Sequence, residues 1–230
     1  MVFNIILIAV SWIIYYFIER KNLFKTWLLP WKKRLAELTK GFMLTAILCV
    51  LAQLGFAVTN DMEYSVSETW TVEKLLSSMV YDLNSVLFEE LVFRGIALYL
   101  LIKFFSLRTS ICISAIAFGV YHWFTNGVLG NPLAMVLVFL VTGFMGYAFA
   151  VAFDRTRSIL LPFGLHIGWN LINHTIFSNG PKGEMILAHS QEMEPSIFGF
   201  VAYLLVAVVV LIAVRSKFFV SNVAVNRQKG

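Results

Sequence analysis

The stretch NSVLFEELVFRGIALYLLIKFF, Asn84–Phe105, decides how the rest of this chain is interpreted. It is apolar along most of its length, yet it contains two adjacent acids, Glu89 and Glu90, and one arginine, Arg94. If it forms a helix inside a membrane, three ionisable side chains lie in hydrocarbon. Such groups are energetically costly there, so each needs a partner or a function.

The composition indicates that this stretch belongs to a membrane protein. The chain has 230 residues, of which 59% are hydrophobic and only 13% are charged, whereas a soluble domain has about 25% charged residues. The apolar runs are also too long and continuous for a transmembrane β-barrel. We therefore predict an all-α fold, a polytopic transmembrane helix bundle that forms a single membrane-embedded domain over residues 1–230.

Seven apolar runs are the candidate spans of this bundle. They are Val2–Ile18, Gly41–Val58, Asn84–Phe105, Thr109–Phe124, Leu133–Phe153, Ile159–Phe177 and Ile197–Val214. The first run has no basic start and no cleavage-site pattern after it, so we expect a retained span rather than a signal peptide. We interpret residues 19–40 as a basic membrane-surface segment and residues 72–82 as an interfacial helix.

The distribution of charge predicts an orientation in the membrane. The loops after the first, third, fifth and seventh runs carry the Lys and Arg residues, and the other loops are acidic or nearly neutral. The positive-inside rule then puts the N-terminus outside and the basic tail inside. We assign the net charge of +5 to this topology and to anionic lipid, so the lipid bilayer is an expected partner and nucleic acid is not. Cys49 and Cys112 fall in apolar runs, so we expect no disulfide framework and no thiolate zinc site.

Helical spacing divides the three charged residues of the opening stretch into two groups. Glu90 and Arg94 are four residues apart, so they share a helix face and can form an ion pair. Glu89 is rotated by about 100° from Glu90, because a helix turns that much per residue. Glu89 therefore points elsewhere and lacks that partner.

The remaining polar residues that matter lie on two further runs. His122 is in the fourth run, and His166 and Asn170 share one face of the sixth run. Each histidine alone could be a hydrogen-bonded core residue. Together with the free acid of the third run, they are more costly groups than a bundle keeps unless they line an aqueous cavity or pathway. We interpret Asn173 and His174, farther along the sixth run, as helix–helix contacts.

This combination of groups fits the hydrolysis of an amide bond without a covalent nucleophile. A carboxylate and an imidazole can hold and deprotonate a water molecule, while a second imidazole and an amide can donate to the developing oxyanion. Glutamate and histidine could also bind a metal ion. The sequence contains no H-E-x-x-H zinc helix and no G-x-S-x-G elbow. It also lacks a pair of intramembrane aspartates, because Asp82 lies at a span edge and Asp154 in a loop.

At these residues the chain resembles the CPBP family, the CAAX-protease and bacteriocin-processing intramembrane peptidases also called abortive-infection proteins. The family pattern is E-E-x-x-x-R, then F-x-x-x-H, then H-x-x-x-N or D, on three separate membrane helices. This chain has EELVFR at Glu89–Arg94, FGVYH at Phe118–His122 and HIGWN at His166–Asn170. All three motifs occur in order on separate runs, and the resemblance covers about Ser85–Asn173.

The resemblance implies four catalytic residues and two supporting ones, within a catalytic core at about residues 82–178. The catalytic set is Glu89, His122, His166 and Asn170, and the structural support is Glu90 and Arg94. In the family, the first acid activates water together with the histidine of the second motif. The histidine and the amide of the third motif form the oxyanion site.

The resemblance leaves open whether a metal takes part. Family members are classed as metalloproteases, and a mechanism with glutamate-activated water and no tightly bound metal is also proposed for them. Glu89, His122 and His166 are the candidate ligands for a divalent metal such as zinc. These residue types permit such a site and do not require one.

We therefore expect an intramembrane endopeptidase in the bacterial cell membrane, acting on a membrane-associated or lipid-modified peptide or protein. One alternative is a non-catalytic membrane protein, such as a bacteriocin self-immunity factor or a scaffold that retains the protease fold. Another is a proton-coupled transporter that uses the same groups as a relay. The complete motif set favours the peptidase, and the sequence lacks the broken helices and inverted repeats of transporters. The predicted orientation puts Glu89 in the outer half of its span, whereas CAAX-processing relatives cleave substrates presented from the cytosol.

Overall fold

A computed structural model describes residues 2–190, 197–217 and 219 of the chain. The helices are α1 (Val2–Glu19), α2 (Leu23–Leu28), α3 (Trp31–Thr59), α4 (Val72–Glu90), α5 (Leu98–Phe104), α6 (Leu107–Thr125), α7 (Pro132–Thr156), α8 (Leu160–Leu171) and α9 (Ile197–Arg215). Two π-helical segments, π1 (Leu91–Ala97) and π2 (Ile172–Ile176), continue directly from α4 and α8. Two short strands, β1 (Tyr64–Val66) and β2 (Leu187–His189), pair antiparallel.

Side-chain caps fix where several of these helices begin. The side-chain oxygens of Asn22, Thr71, Ser106 and Asn131 each accept a hydrogen bond from the backbone N–H three residues later, which satisfies a donor that the first helical turn leaves free. Because no Gly or Pro follows Thr71 before residue 90, the helix that it caps continues into the third run. Residues 72–82 are helical as predicted, but they are the first part of α4 rather than a helix of their own.

The basic segment over residues 19–40 is likewise divided differently from the prediction. Its second half is the beginning of α3, and only α2 is a separate helix. On α2, Leu23 and Trp27 are buried in the core cluster. One side of this helix therefore packs against the bundle, and the helix does not lie wholly on the surface. Most of the basic tail that follows α9 lies outside the described residues.

Four helices of the described part, α1, α3, α7 and α9, are long and apolar enough to cross a membrane. They coincide with the first, second, fifth and seventh predicted runs. The other three runs fall on α4–π1–α5, on α6 and on α8–π2, which carry the polar motifs. The all-α fold is thus confirmed, while the total of seven spans stays a prediction.

The loops gather at two ends of the bundle, as short connections between successive helices require. At the basic end, Lys103 forms an ion pair with Glu19, and the Arg34 guanidinium donates to the Thr156 carbonyl oxygen at 2.9 Å. At the other end, β1 pairs with β2, and the Lys182 ammonium lies 5.4 Å from the centre of the Tyr81 ring.

Glycines allow α8 to approach α3 closely, and α8 carries the third motif. A Cβ atom added at Gly164 would lie 2.3 Å from the Leu38 carbonyl oxygen, and one at Gly168 would lie 2.4 Å from the Phe42 carbonyl oxygen. Any larger residue at either position would therefore push the two helices apart. These contacts fix the position of His166, which lies between the two glycines.

Candidate active site

The three motif helices bring the four predicted catalytic residues to the wall of one cavity. Glu89 comes from α4, His122 from α6, and His166 and Asn170 from α8. The cavity has a volume of about 740 Å³, within the usual range for a ligand pocket. It extends towards the end of the bundle where β1, β2 and the acidic or neutral loops lie.

Glu89 lies at the centre of the polar cluster. Its Oε2 atom is 3.9 Å from His122 Nε2 and 3.7 Å from His166 Nε2. This oxygen is buried and has no hydrogen-bond partner among the described residues, while Oε1 accepts a long bond of 3.4 Å from the Ser85 hydroxyl. Polar atoms at such separations can be joined by one bridging water molecule.

The hydrogen bond of His122 determines which of its two ring nitrogens presents a lone pair to Glu89. Its Nδ1 lies 2.8 Å from the Phe118 carbonyl oxygen. Because a carbonyl oxygen only accepts, Nδ1 carries the proton. In the neutral ring, Nε2 is then an acceptor and is available to a water molecule beside Glu89.

Glu90 forms the ion pair that helical spacing predicts, and it also makes a second contact. Its Oε1 is 3.2 Å from Arg94 Nη1 and 2.8 Å from His166 Nδ1. The side chains of Glu90 and Arg94 are fully buried. Arg94 additionally donates from Nη2 to the Gly146 carbonyl oxygen at 3.2 Å. Glu90 therefore joins the arginine of its own helix to the histidine of α8.

Sequence spacing could not reveal the contact between Glu90 and His166, because it joins two helices far apart in the chain. The two π-helical segments were also not predicted. π1 begins directly after Glu90 and contains Arg94, and π2 begins two residues after Asn170. Single-turn π distortions are frequent at functional sites. In π1, the Phe93 carbonyl oxygen accepts a hydrogen bond from the Ser114 hydroxyl of α6 at 3.1 Å, so a neighbouring helix compensates for part of the altered backbone pattern.

Asn170, like His122, is only half-buried, whereas Glu89 and His166 are buried. It lines the cavity, and no hydrogen bond joins its amide to another group in the described part of the chain. An amide with free N–H donors at a cavity wall is suited to a ligand oxygen.

Asn173 and His174 continue from the third motif into π2 and make the helix contacts that their position predicts. Asn173 Oδ1 accepts from Gln53 on α3 at 2.8 Å, and His174 Nδ1 lies 2.7 Å from an Asp82 carboxylate oxygen on α4. Both also line the cavity, which the sequence did not predict. The sequence does contain one signal that Asp82 faces the cavity. Asp82 precedes Glu89 by seven residues, so the two side chains lie on the same face of α4.

The side chains around Glu89 include possible metal ligands. A carboxylate oxygen and two imidazole nitrogens are ligand types that zinc accepts, and they converge around Glu89. Among the described residues, however, no group of three or more His, Cys, Asp or Glu side chains is arranged so that it could hold a metal ion. No step of the reaction is therefore assigned to a metal.

Comparison with known families agrees with the motifs. Residues 71–172 match the family model described as type II CAAX prenyl endopeptidase Rce1-like. The match begins at the cap of α4 and ends at the start of π2, so it contains all three motifs. No curated protein and no solved structure matches the chain. The resemblance to the CAAX-protease family is confirmed.

Proposed function

We propose that this chain, whose residues 71–172 form an Rce1-like domain of the type II CAAX prenyl endopeptidase family, is an intramembrane endopeptidase. Its substrate would be a membrane-associated or lipid-modified peptide or protein, and its location the bacterial cell membrane. One observation carries the proposal. A buried, unpartnered carboxylate oxygen of Glu89 faces the Nε2 atoms of His122 and His166 across gaps of 3.9 and 3.7 Å.

The first step is the activation of water by Glu89. A water molecule between Glu89 Oε2 and His122 Nε2 can transfer a proton to the carboxylate as its oxygen attacks the carbonyl carbon of the substrate. The new C–O bond gives a tetrahedral intermediate with a negative oxygen. When the C–N bond breaks, the protonated Glu89 returns the proton to the nitrogen of the leaving amine.

The oxyanion is stabilised from α8. The free amide N–H groups of Asn170 can donate to it directly. His166 can donate from Nε2 as an imidazolium, in which both ring nitrogens carry a proton. Glu90 Oε1, at 2.8 Å from His166 Nδ1, accepts the other proton and supplies the counter-charge of that imidazolium.

The proposal is tested with the purified protein in lipid nanodiscs and a library of membrane-associated peptides, with cleavage products identified by mass spectrometry. We expect Glu89→Gln and His166→Ala to abolish cleavage while the folded protein is recovered. Glu68→Gln is the matched control, because Glu68 is an exposed acid in the loop before α4, and it should cleave like the wild type.

The outcome separates the peptidase from its alternatives. If wild-type protein yields no product, or if the Glu89→Gln variant yields as much as the wild type, a non-catalytic role such as immunity or scaffolding becomes the better explanation. A parallel reaction with 1,10-phenanthroline tests the metal. Unchanged cleavage supports the metal-free mechanism, and inhibition that zinc reverses assigns a metal to the site.

A further inference from the structure

A second pair of a carboxylate and an imidazole lines the same cavity, and the hydrolytic mechanism does not use it. Asp82 on α4 is almost fully buried, with 1% of its surface exposed. His174 Nδ1 lies 2.7 Å from Asp82 Oδ1, and the His174 side chain is 18% exposed. The pair is therefore a buried acid behind an imidazole that the cavity can reach.

The hydrogen bond between Asp82 and His174 leaves one acceptor atom on each side chain without a donor among the described residues. An ionised carboxylate only accepts, so His174 donates from Nδ1 and, in the neutral ring, presents Nε2 as a lone pair. Asp82 Oδ2 is buried and has no hydrogen-bond partner in the described part of the chain. A buried acceptor in this condition is unfavourable until a donor reaches it, and more so when it is charged.

No Lys or Arg of the described residues neutralises Asp82. Within the described ranges, no Lys or Arg forms an ion pair with it, and His174 is its one partner in the ion-pair geometry. Lys182, which follows the cavity-lining Pro181 in the chain, contacts the ring of Tyr81 instead. The pair therefore favours a ligand that is positively charged and carries several N–H donors.

The helix that carries Asp82 also sets its distance from the reaction centre. Asp82 and Glu89 are seven residues apart on α4, which is regular until π1 begins at Leu91. Seven residues are close to two turns and rise about 10 Å, at 1.5 Å per residue. An extended peptide covers the same distance in about three residues, at 3.3–3.6 Å each.

We propose that Asp82 and His174 form a substrate subsite for a basic side chain, Lys or Arg, located three residues from the scissile bond. This inference rests on the proposed peptidase function, because it assumes that the peptide carbonyl lies at Glu89. The subsite would select among substrates and take no part in the bond cleavage.

Two readouts from one peptide library test the subsite. In the first, wild-type protein in nanodiscs cleaves randomised peptides, and the residues around each cut are counted. In the second, the Glu89→Gln variant retains uncleaved peptides, which are eluted and sequenced. Matched peptides that differ only in Lys or norleucine at the third position then give an affinity ratio.

We expect Lys or Arg to be enriched at the third residue on one side of the cut, and the Lys peptide to bind about tenfold or more tightly than the norleucine peptide. Introducing Asp82→Asn, or His174→Gln as a second variant should the first not fold, should bring this ratio close to one. Glu68→Gln, a loop acid outside the cavity, is the control and should leave the ratio unchanged.

The outcomes distinguish the subsite from the peptidase itself. Cleavage without a basic preference, or a preference that Asp82→Asn leaves intact, overturns the subsite while the peptidase stands. Retention that depends on Lys and on Asp82, without any cleavage by wild-type protein, keeps the subsite as a binding site and overturns the peptidase. Neither cleavage nor selective retention overturns both.

Discussion

Replacing Glu90 by glutamine tests the unequal roles of the two adjacent acids. Glu90 and Arg94 are fully buried and joined at 3.2 Å, and the same Glu90 oxygen contacts His166 at 2.8 Å. Glu90→Gln keeps the shape of the side chain but removes its charge. Arg94 then remains buried without its counter-ion, while it keeps the hydrogen bond to the Gly146 carbonyl oxygen and its contacts with aromatic rings.

The expected loss follows from the desolvation of that arginine. Breaking a buried ion pair by removing one partner destabilises a protein by about 3–5 kcal/mol, which lowers the ratio of folded to unfolded protein by a factor of roughly 10² or more. Glu89→Gln should change the free energy of unfolding by less than about 1 kcal/mol, because the one hydrogen bond of Glu89 in the described structure is the long one from the Ser85 hydroxyl.

The assay is reversible unfolding in mixed micelles with increasing SDS, followed by tryptophan fluorescence, on both variants and the wild type. A third protein, Glu90→Gln with Arg94→Met, completes a double-mutant cycle. Removal of both charges should recover much of the lost stability, because no unpaired arginine remains. If Glu90→Gln unfolds at the same SDS fraction as Glu89→Gln, the ion pair does not stabilise the fold and our assignment of Glu90 is wrong.

Three further predictions concern the oxyanion site, the helix packing and the orientation. Asn170→Ala should lower kcat by about 10²–10³ with little change in KM, measured on any cleaved peptide, because one oxyanion donor is lost. Gly164→Ala should abolish folding in detergent, because its Cβ would lie 2.3 Å from a carbonyl oxygen of α3. The control Gly143→Ala, whose nearest contact is at 3.7 Å, should fold normally. Equal yields of the two folded variants would contradict this prediction. In a background without the native cysteines, a membrane-impermeant maleimide should label Ser65→Cys in intact cells and label Lys21→Cys only after lysis, and the reverse pattern would invert the predicted topology.

Much of the candidate site could be predicted because its information is local. Helical spacing alone separates Glu89 from the pair formed by Glu90 and Arg94, and the three motifs identify which spans supply polar groups. The structure brings these groups to one cavity, as the convergence of costly residues in the membrane indicates. The contact between Glu90 and His166 was not predictable, because it depends on the depth at which α4 and α8 pack, and spacing within one helix carries no such information.

The predicted helix boundaries differ from the observed ones because hydropathy and hydrogen bonding define different segments. Hydropathy detects the segment that is apolar enough for lipid, whereas the hydrogen-bonded helix extends as far as caps and packing allow. Residues 72–82 and 31–40 are polar enough to resemble surface segments, but each is the first part of a longer helix that contributes residues to the core. The π-helical segments leave no signal in hydropathy, because one extra residue per turn changes the direction of side chains without changing composition.

The contrast between the two adjacent acids connects the fold to the function. Glu90 is held by an arginine and a histidine, so its charge is compensated and its position is fixed. Glu89 is buried beside it without an arginine partner, and its Oε2, like Oε2 of Glu90, has no hydrogen-bond partner in the described structure. A membrane bundle keeps such an acid only where it has a partner or a function, and the cavity at Glu89 is where a substrate and a water molecule would supply that partner. The same reasoning applies to Asp82, almost two turns earlier on α4. Two buried carboxylates with unpartnered oxygens, on one helix face and about 10 Å apart, fit an extended peptide that is cleaved at one and held at the other.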